Sequence, residues 1–235
     1  MSAGTTIASI LLLCAVLAVG VWLWLKQRQT VQREAFQALA ARRGWSLTIS
    51  EQKLGRPAIL RLTARSGRGW HCESRLHGGP DHGMPDYLTT EFVAEEPQWP
   101  EGSLVLTAAT ADSTVSDPAL SDPDAPITLR PGKSKLTMAD RVSLALKVEE
   151  ASQLRPYPAP LGLDARATCD PAHQFDLDAL AEVLAVWPAQ YDDIDGQPII
   201  QIGPLGFRVQ VNHGMDRADQ MESFIDFALN LIRVI

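Results

Sequence analysis

Residues 5–25, TTIASILLLCAVLAVGVWLWL, decide the architecture that the sequence predicts. The stretch contains no charged residue, and eleven of its side chains are Leu, Ile or Val. As an α-helix it would be roughly 31 Å long, which matches a bilayer hydrocarbon core of roughly 30 Å. These eleven side chains would favour insertion by on the order of 3 to 6 kcal/mol. We therefore predict an N-tail and transmembrane helix over residues 1–25.

A cleaved signal peptide and a buried core helix are the alternatives to a membrane span. A signal peptide needs a basic region before its apolar run, but residues 1–25 contain no Lys or Arg. The apolar run is also longer than a typical signal-peptide core. A core helix this uniformly apolar is unusual at an N-terminus. The sequence favours the span.

The charges that flank the apolar run predict its orientation. Five basic residues and one acidic residue lie between positions 26 and 43. The positive-inside rule then places the C-terminal domain in the cytoplasm, below the inner (plasma) membrane, with the N-terminus outside. We expect Trp22, Trp24, Lys26 and Arg28 to lie at the membrane interface, and residues 26–44 to form a basic juxtamembrane helix. Within this helix Phe36, Leu39 and Ala40 are predicted to share an apolar face.

The rest of the chain is acidic. The whole chain carries −7 and residues 26–43 carry +4, so residues 44–235 carry −11. An acidic domain is a poor partner for nucleic acid, because phosphate contacts need Lys and Arg. The three cysteines, Cys14, Cys72 and Cys169, do not form a disulfide framework, and reduced thiols suit a cytoplasmic location.

Alternating apolar and polar residues predict an antiparallel β-rich region over residues 45–107. Strands are expected at 45–50, 60–65, 70–77, 88–95 and 103–107, each with one buried and one wet face. An acidic Pro-rich loop is predicted over 108–134, where two Ser-Asp-Pro triplets occur.

Residues 135–235 are predicted to form an α+β region. A helix from Thr137 to about 151 is followed by prolines at 156, 158 and 160, which should end regular structure. Asp176 is placed to cap a second helix, and a hairpin is expected around residues 199–211. The last helix is predicted to begin near Asp216 and to bury a broad apolar stripe. The fold class is therefore α+β, an antiparallel sheet plus helices.

One cluster has residues that could bind a metal. It contains His71, Cys72, His77, His82 and Asp86, and histidine and cysteine side chains are zinc ligands when they converge. Neighbours His71 and Cys72 point to opposite faces of a strand, and Arg75 between His71 and His77 would repel a cation. The cluster therefore has two interpretations. Its residues form either an exposed strand face and a polar turn, or a metal site at His71, His77 and His82.

Other motifs fail at specific positions. Gly132-Lys133-Ser134 resembles the end of a phosphate-binding loop, but Ile127 stands where the first glycine is required. No recognisable catalytic or cofactor-binding signature occurs, so no catalytic residue and no cofactor is predicted.

The layout resembles a loose class of uncharacterised bacterial single-pass inner-membrane proteins. These have one N-terminal span, a short basic helix and an Arg-Gly-Trp sequence that opens a β-rich domain, here Arg43-Gly44-Trp45. The resemblance implies this organisation but no activity, so it assigns no functional residue.

The sequence thus predicts a membrane-anchored protein whose cytoplasmic domain acts as an interaction or scaffolding module. Its expected partners are the lipid bilayer and another protein, with self-association left open. The alternative is a membrane-tethered enzyme or metal-binding domain that uses His71, His77 and His82.

Overall fold

The computed structural model describes residues 3–50, 59–65, 69–79, 84–108, 153–187, 191 and 197–235. Inside its helices and strands, the side chains of residues 3–16, 18, 25, 29, 76–79 and 84–88 are not described. Residues 109–134 of the predicted acidic loop and the helix predicted from Thr137 lie outside the described residues, as do residue His82 and the side chains of His77 and Asp86.

The described residues form three helices and nine strands. In chain order they are α1 (Ala3–Arg43), β1 (Trp45–Ser50), β2 (Ile59–Ala64), β3 (Trp70–Gly79), β4 (Met84–Ala94), β5 (Leu104–Ala108), β6 (Arg155–Tyr157), β7 (Leu163–Ala167), α2 (Leu177–Ala185), β8 (Ile199–Gly203), β9 (Gly206–Val211) and α3 (Ala218–Val234).

Helix α1 is one unbroken helix through both N-terminal regions of the sequence. It ends at Arg43, and the next residue, Gly44, has a φ of 68°, a left-handed conformation that glycine adopts without strain. Phe36, Leu39 and Ala40 are 2%, 3% and 5% exposed, which confirms the predicted apolar face. The last turns of α1 are therefore part of the folded domain.

Among the residues whose side chains the structure describes, no helix is long and apolar enough to cross a membrane.

The predicted span over residues 1–25 lies largely outside those residues. Residues 1 and 2 and the side chains of residues 3–16, 18 and 25 are not described.

The strands form a nine-stranded sheet in the order β1-β2-β3-β4-β9-β8-β5-β7-β6, in which all neighbours are antiparallel. The predicted α+β class is confirmed. Strands from residues 45–107 and from residues 135–235 share this sheet, because β4 pairs with β9 and β5 pairs with β8. The prediction that regular structure ends at Pro156 was wrong, since Pro156 lies in β6. This strand is at the edge of the sheet, where a missing backbone N–H is tolerated.

One face of the sheet, here called the helical face, is apolar and packs against the three helices. A single register row crosses eight strands, from Leu47 through Leu62, Cys72, Phe92, Val209, Ile200 and Leu106 to Ala165. Leu180 and Leu184 of α2 and Met221 of α3 join this row and Phe36 in one core. Asp176 accepts a hydrogen bond from the Ala179 N–H, which confirms the predicted cap of α2. Helix α3 begins at Ala218, two residues later than predicted.

Ion pairs also join α1 to α3. Arg42 contacts Glu222, and Arg43 contacts both Glu222 and Asp226, its Nε donating to Glu222 Oε1 at 2.7 Å. Nearer the start of α1, Gln32 Nε2 donates to Asp216 Oδ2 at 3.2 Å. The two helices therefore run side by side in the same direction. We call these contacts the α1–α3 clamp.

Substitution of Phe36 tests whether α1 is integral to the domain. Phe36→Ala should destabilise the protein by about 3 to 5 kcal/mol, because it removes a fully buried ring and leaves a cavity. Val31→Ala on the same helix is the control, since Val31 is 59% exposed. Urea unfolding would measure both, and equal stabilities of the two variants would contradict the packing of α1.

Candidate interaction surface on the polar face of the sheet

The opposite side of the sheet, here called the polar face, carries a row of charged and polar side chains. In register these are Thr48, Arg61, Glu73, Glu91 and Gln210, on β1, β2, β3, β4 and β9. They alternate along their strands with residues of the helical face, because successive strand side chains point to opposite sides. The row thus gathers residues that are far apart in the sequence.

Three arginines and two glutamates on this face form one ion-pair network. Arg61 contacts Glu73, and Arg75 Nη2 lies 2.7 Å from Glu91 and 3.6 Å from Glu73. On the far side Arg208 Nε lies 2.9 Å from Glu91. These five side chains have one positive charge in excess, whereas residues 44–235 carry −11 in total. The network is therefore a locally cationic patch on an acidic domain.

Glu73 holds the centre of the network. It lies directly opposite Glu91, and two like charges in that position destabilise a strand pair. The arginines on either side compensate this repulsion. Glu73 is only 2% exposed, so the expectation of a simple exposed strand face was wrong here. Its carboxylate is buried because Arg61 and Arg75 both reach it, and a buried charge requires such partners.

His71, the one candidate metal ligand with a described side chain, lies beside this network. Its Nε2 is 3.9 Å from Glu73 Oε1. Burial, and then the guanidinium of Arg61, lower the pKa of His71 below its ordinary value of 6.5. In the described part of the chain, no three His, Cys, Asp or Glu side chains are grouped so that they could hold a metal ion. A site at His71, His77 and His82 stays a prediction, since the other two side chains are not described.

The residues predicted for a membrane interface form two cation–π pairs. Lys26 Nζ lies 5.1 Å from the ring centre of Trp22, and Arg28 Cζ lies 5.8 Å from that of Trp24. Each pair is four residues apart, the spacing that brings two side chains together on a helix. Both cations therefore turn back toward the apolar segment. Arg28 Nη2 is also 3.8 Å from Asp216, so the same arginine meets the domain.

Sequence reasoning missed the ion-pair network as a unit. It placed Arg61, Glu73, Arg75 and Arg208 on wet strand faces, and their alternation was the available signal. It could not show that β4 pairs with β9, because more than a hundred residues separate these strands. The partners of a sheet row depend on strand order, which local patterns do not encode.

Removal of the central charge tests the network. Glu73→Gln should cost about 1 to 3 kcal/mol, because it leaves the partly exposed Arg61 and Arg75 without the charge of their shared buried carboxylate. The exposed Glu95→Gln is the matched control and should change stability by about 0.5 kcal/mol or less. Urea unfolding at neutral pH would measure both variants, and a Glu73→Gln protein as stable as the control would argue against an energetically coupled network.

Comparison with known proteins identifies no relative of this chain. No protein-family model, curated protein or solved structure matches the chain.

Proposed function

We propose that the chain is a single-pass membrane-anchored protein and that its α+β domain, held in the cytoplasm against the inner leaflet, binds a protein partner. The observation that carries the proposal is the apolar segment of α1, which continues without a break into the helix that packs on the domain. The bilayer is thus one binding partner of the chain. The polar face is the surface that binds the protein partner.

The described end of the apolar segment supports contact with lipid. Six apolar side chains between positions 17 and 24 are each more than half exposed: Leu17, Val19, Val21, Trp22, Leu23 and Trp24. At 100° per residue they point in all directions around the helix. A helix that is apolar all round is stable when it is buried in a protein core or a membrane. Because these side chains are exposed, a bilayer is the environment that suits them.

The charges near α1 support a close approach of the domain to the membrane. Arg28 follows Leu25 by about 5 Å of helix rise and already contacts Asp216 of the domain. The start of α3 therefore lies beside the end of the apolar segment. The basic flank favours the cytoplasmic side, where anionic lipids attract Lys and Arg.

The polar face supports a partner that carries carboxylates. The side chains of Arg61 and Arg208, which belong to the ion-pair network, are 46% and 36% exposed, and that of His71 beside the network is 36% exposed. Partly exposed arginines held by neighbours lose little freedom on binding, and their guanidinium groups suit carboxylates. Arginine is also enriched among the residues that dominate protein interfaces.

Membrane fractionation of the full chain tests the anchor. The protein should stay in the membrane pellet after a high-salt wash and should need detergent for release. The double variant Leu13→Lys/Leu17→Lys should move to the supernatant, because each lysine near the centre of a span costs about 3 kcal/mol. Val31→Lys, at an exposed apolar position within the basic flank and outside the apolar segment, is the control and should stay in the pellet.

Two results would contradict this proposal. Wild-type protein in the supernatant without detergent would contradict the anchor. The orientation is tested by fusing, after Ile235, a phosphatase that is active only outside the cytoplasm. Activity of this fusion would contradict a cytoplasmic C-terminal domain.

A further inference from the structure

One row of exposed side chains follows α1 from its apolar segment to the part that packs on the domain. Its members are three or four residues apart, the spacing that keeps side chains on one face of a helix. All of them are exposed, and all but two are apolar. We call this the α1 row, and it consists of Leu17, Val21, Trp24, Arg28, Val31, Ala35, Ala38 and Arg42.

The α1 row has the spacing of a face that packs against another helix. Its steps alternate between four and three residues, so the row repeats every seven residues. Two parallel helices pack along their length through such a repeat. At 100° per residue, the buried face of Phe36, Leu39 and Ala40 is turned away from the row by roughly 120°. The α1 row is therefore separate from the face that packs on the core.

Beyond the apolar segment, the α1 row borders an open groove between α1 and α3. The groove has a volume of about 570 Å³, and Val31, Ala35 and Ala38 line it from α1. The short alanine side chains let the backbone of another helix approach closely. The α3 wall carries three carboxylates and one guanidinium, from Asp216, Asp219, Glu222 and Arg217. The groove thus has an apolar side on α1 and an acidic wall on α3.

The two charged members of the α1 row are each paired with a carboxylate of the same domain. Arg28 Nη2 lies 3.8 Å from Asp216, and Arg42 contacts Glu222. If two copies of α1 faced each other through this row, their arginines would come close and repel. The paired carboxylates offset this repulsion. The charges of the row are therefore compatible with contact between two copies.

We propose that α1 of a second copy of the chain occupies this groove, and that the two α1 helices pack in parallel along the α1 row. The inference rests on the proposed anchor, because two copies in one bilayer have parallel α1 helices at the same depth. The groove begins at Val31, about 9 Å of helix rise after Leu25. The same residues of the second copy lie at that level.

Charge complementarity favours a second copy in the groove. Residues 26–43 of α1 carry five basic residues and one acidic residue, which is +4. The acidic wall of α3 carries an excess of two negative charges among the groove residues Asp216, Arg217, Asp219 and Glu222. The basic part of a second α1 therefore suits the wall beside which it would lie.

Disulfide cross-linking of the full chain in isolated membranes tests this packing. Cys14→Ser and Cys169→Ser provide the background, since Cys72 is buried. Single cysteines are then introduced at exposed positions of α1, so that no core contact is lost. The test compares two positions of the α1 row with the exposed residue that precedes each of them: Val31 with Thr30, and Ala38 with Gln37.

Helix geometry separates the two kinds of position. If the axes of two parallel helices are about 9 Å apart, Cα atoms in the shared seam are about 5 Å apart. Those at positions 30 and 37 are then about 11 Å or more from their counterparts. A disulfide needs a Cα–Cα distance below about 7 Å, so only the row positions can form one.

We expect Val31→Cys and Ala38→Cys to form about tenfold more disulfide-linked dimer than Thr30→Cys and Gln37→Cys after mild oxidation. Adding Ala35→Trp should lower the dimer yield at both row positions, because the ring occupies the groove. Gln37→Trp, on another exposed face of α1, is the control and should leave the yield unchanged.

The same membranes separate a failure of this inference from a failure of the anchor. Equal cross-linking at row and control positions overturns the inference. It is also overturned if protein that stays in the membrane pellet forms no disulfide at the row positions, as expected if a lipid or another protein fills the groove. In both cases the anchor stands. Protein in the supernatant without detergent contradicts the anchor, and the inference with it.

Discussion

The packing of the last turns of α1 against the sheet is the contact on which the rest of the molecule depends. Phe36, Leu39 and Ala40 close one end of the core that β1, β2 and α3 share. The α1–α3 clamp lies beside this contact, but its ion pairs are partly exposed and are each worth about 1 kcal/mol or less. Burial of the Phe36 ring alone is worth several times that. Apolar packing therefore supplies the stability, and the clamp orients α3 along α1.

This arrangement joins the apolar segment rigidly to the domain. No loop or glycine hinge separates the exposed apolar side chains that end at Trp24 from the buried Phe36, because α1 is continuous between them. A bilayer that holds the first part of α1 would therefore also set the position of the sheet. The start of α3 would face the headgroups, since Asp216 already meets Arg28 and Gln32. The polar face would then be presented in a defined orientation to a binding partner.

The sequence predicted the parts of this fold that depend on neighbouring residues. The alternation of apolar and polar residues predicted the strands around Leu62, Cys72 and Phe92, and Asp176 predicted the start of α2. Prediction from the sequence failed where the structure depends on contacts between distant residues. Pro156 forms part of a strand because β6 lies at the sheet edge, and Glu73 is buried because β2 and β3 bring Arg61 and Arg75 to it. The order of β4, β9, β8 and β5 follows from core packing across the whole domain, which periodicity does not reveal.

The most direct test of this account is to compare the unfolding in urea of two shortened chains, residues 26–235 and residues 45–235. The account predicts cooperative unfolding of the first chain. The second lacks Phe36, Leu39 and the α1–α3 clamp, and it should lose about 4 kcal/mol or more, or show no cooperative transition. If residues 45–235 unfold cooperatively with the same stability as residues 26–235, α1 is only an appendage and the central claim is contradicted.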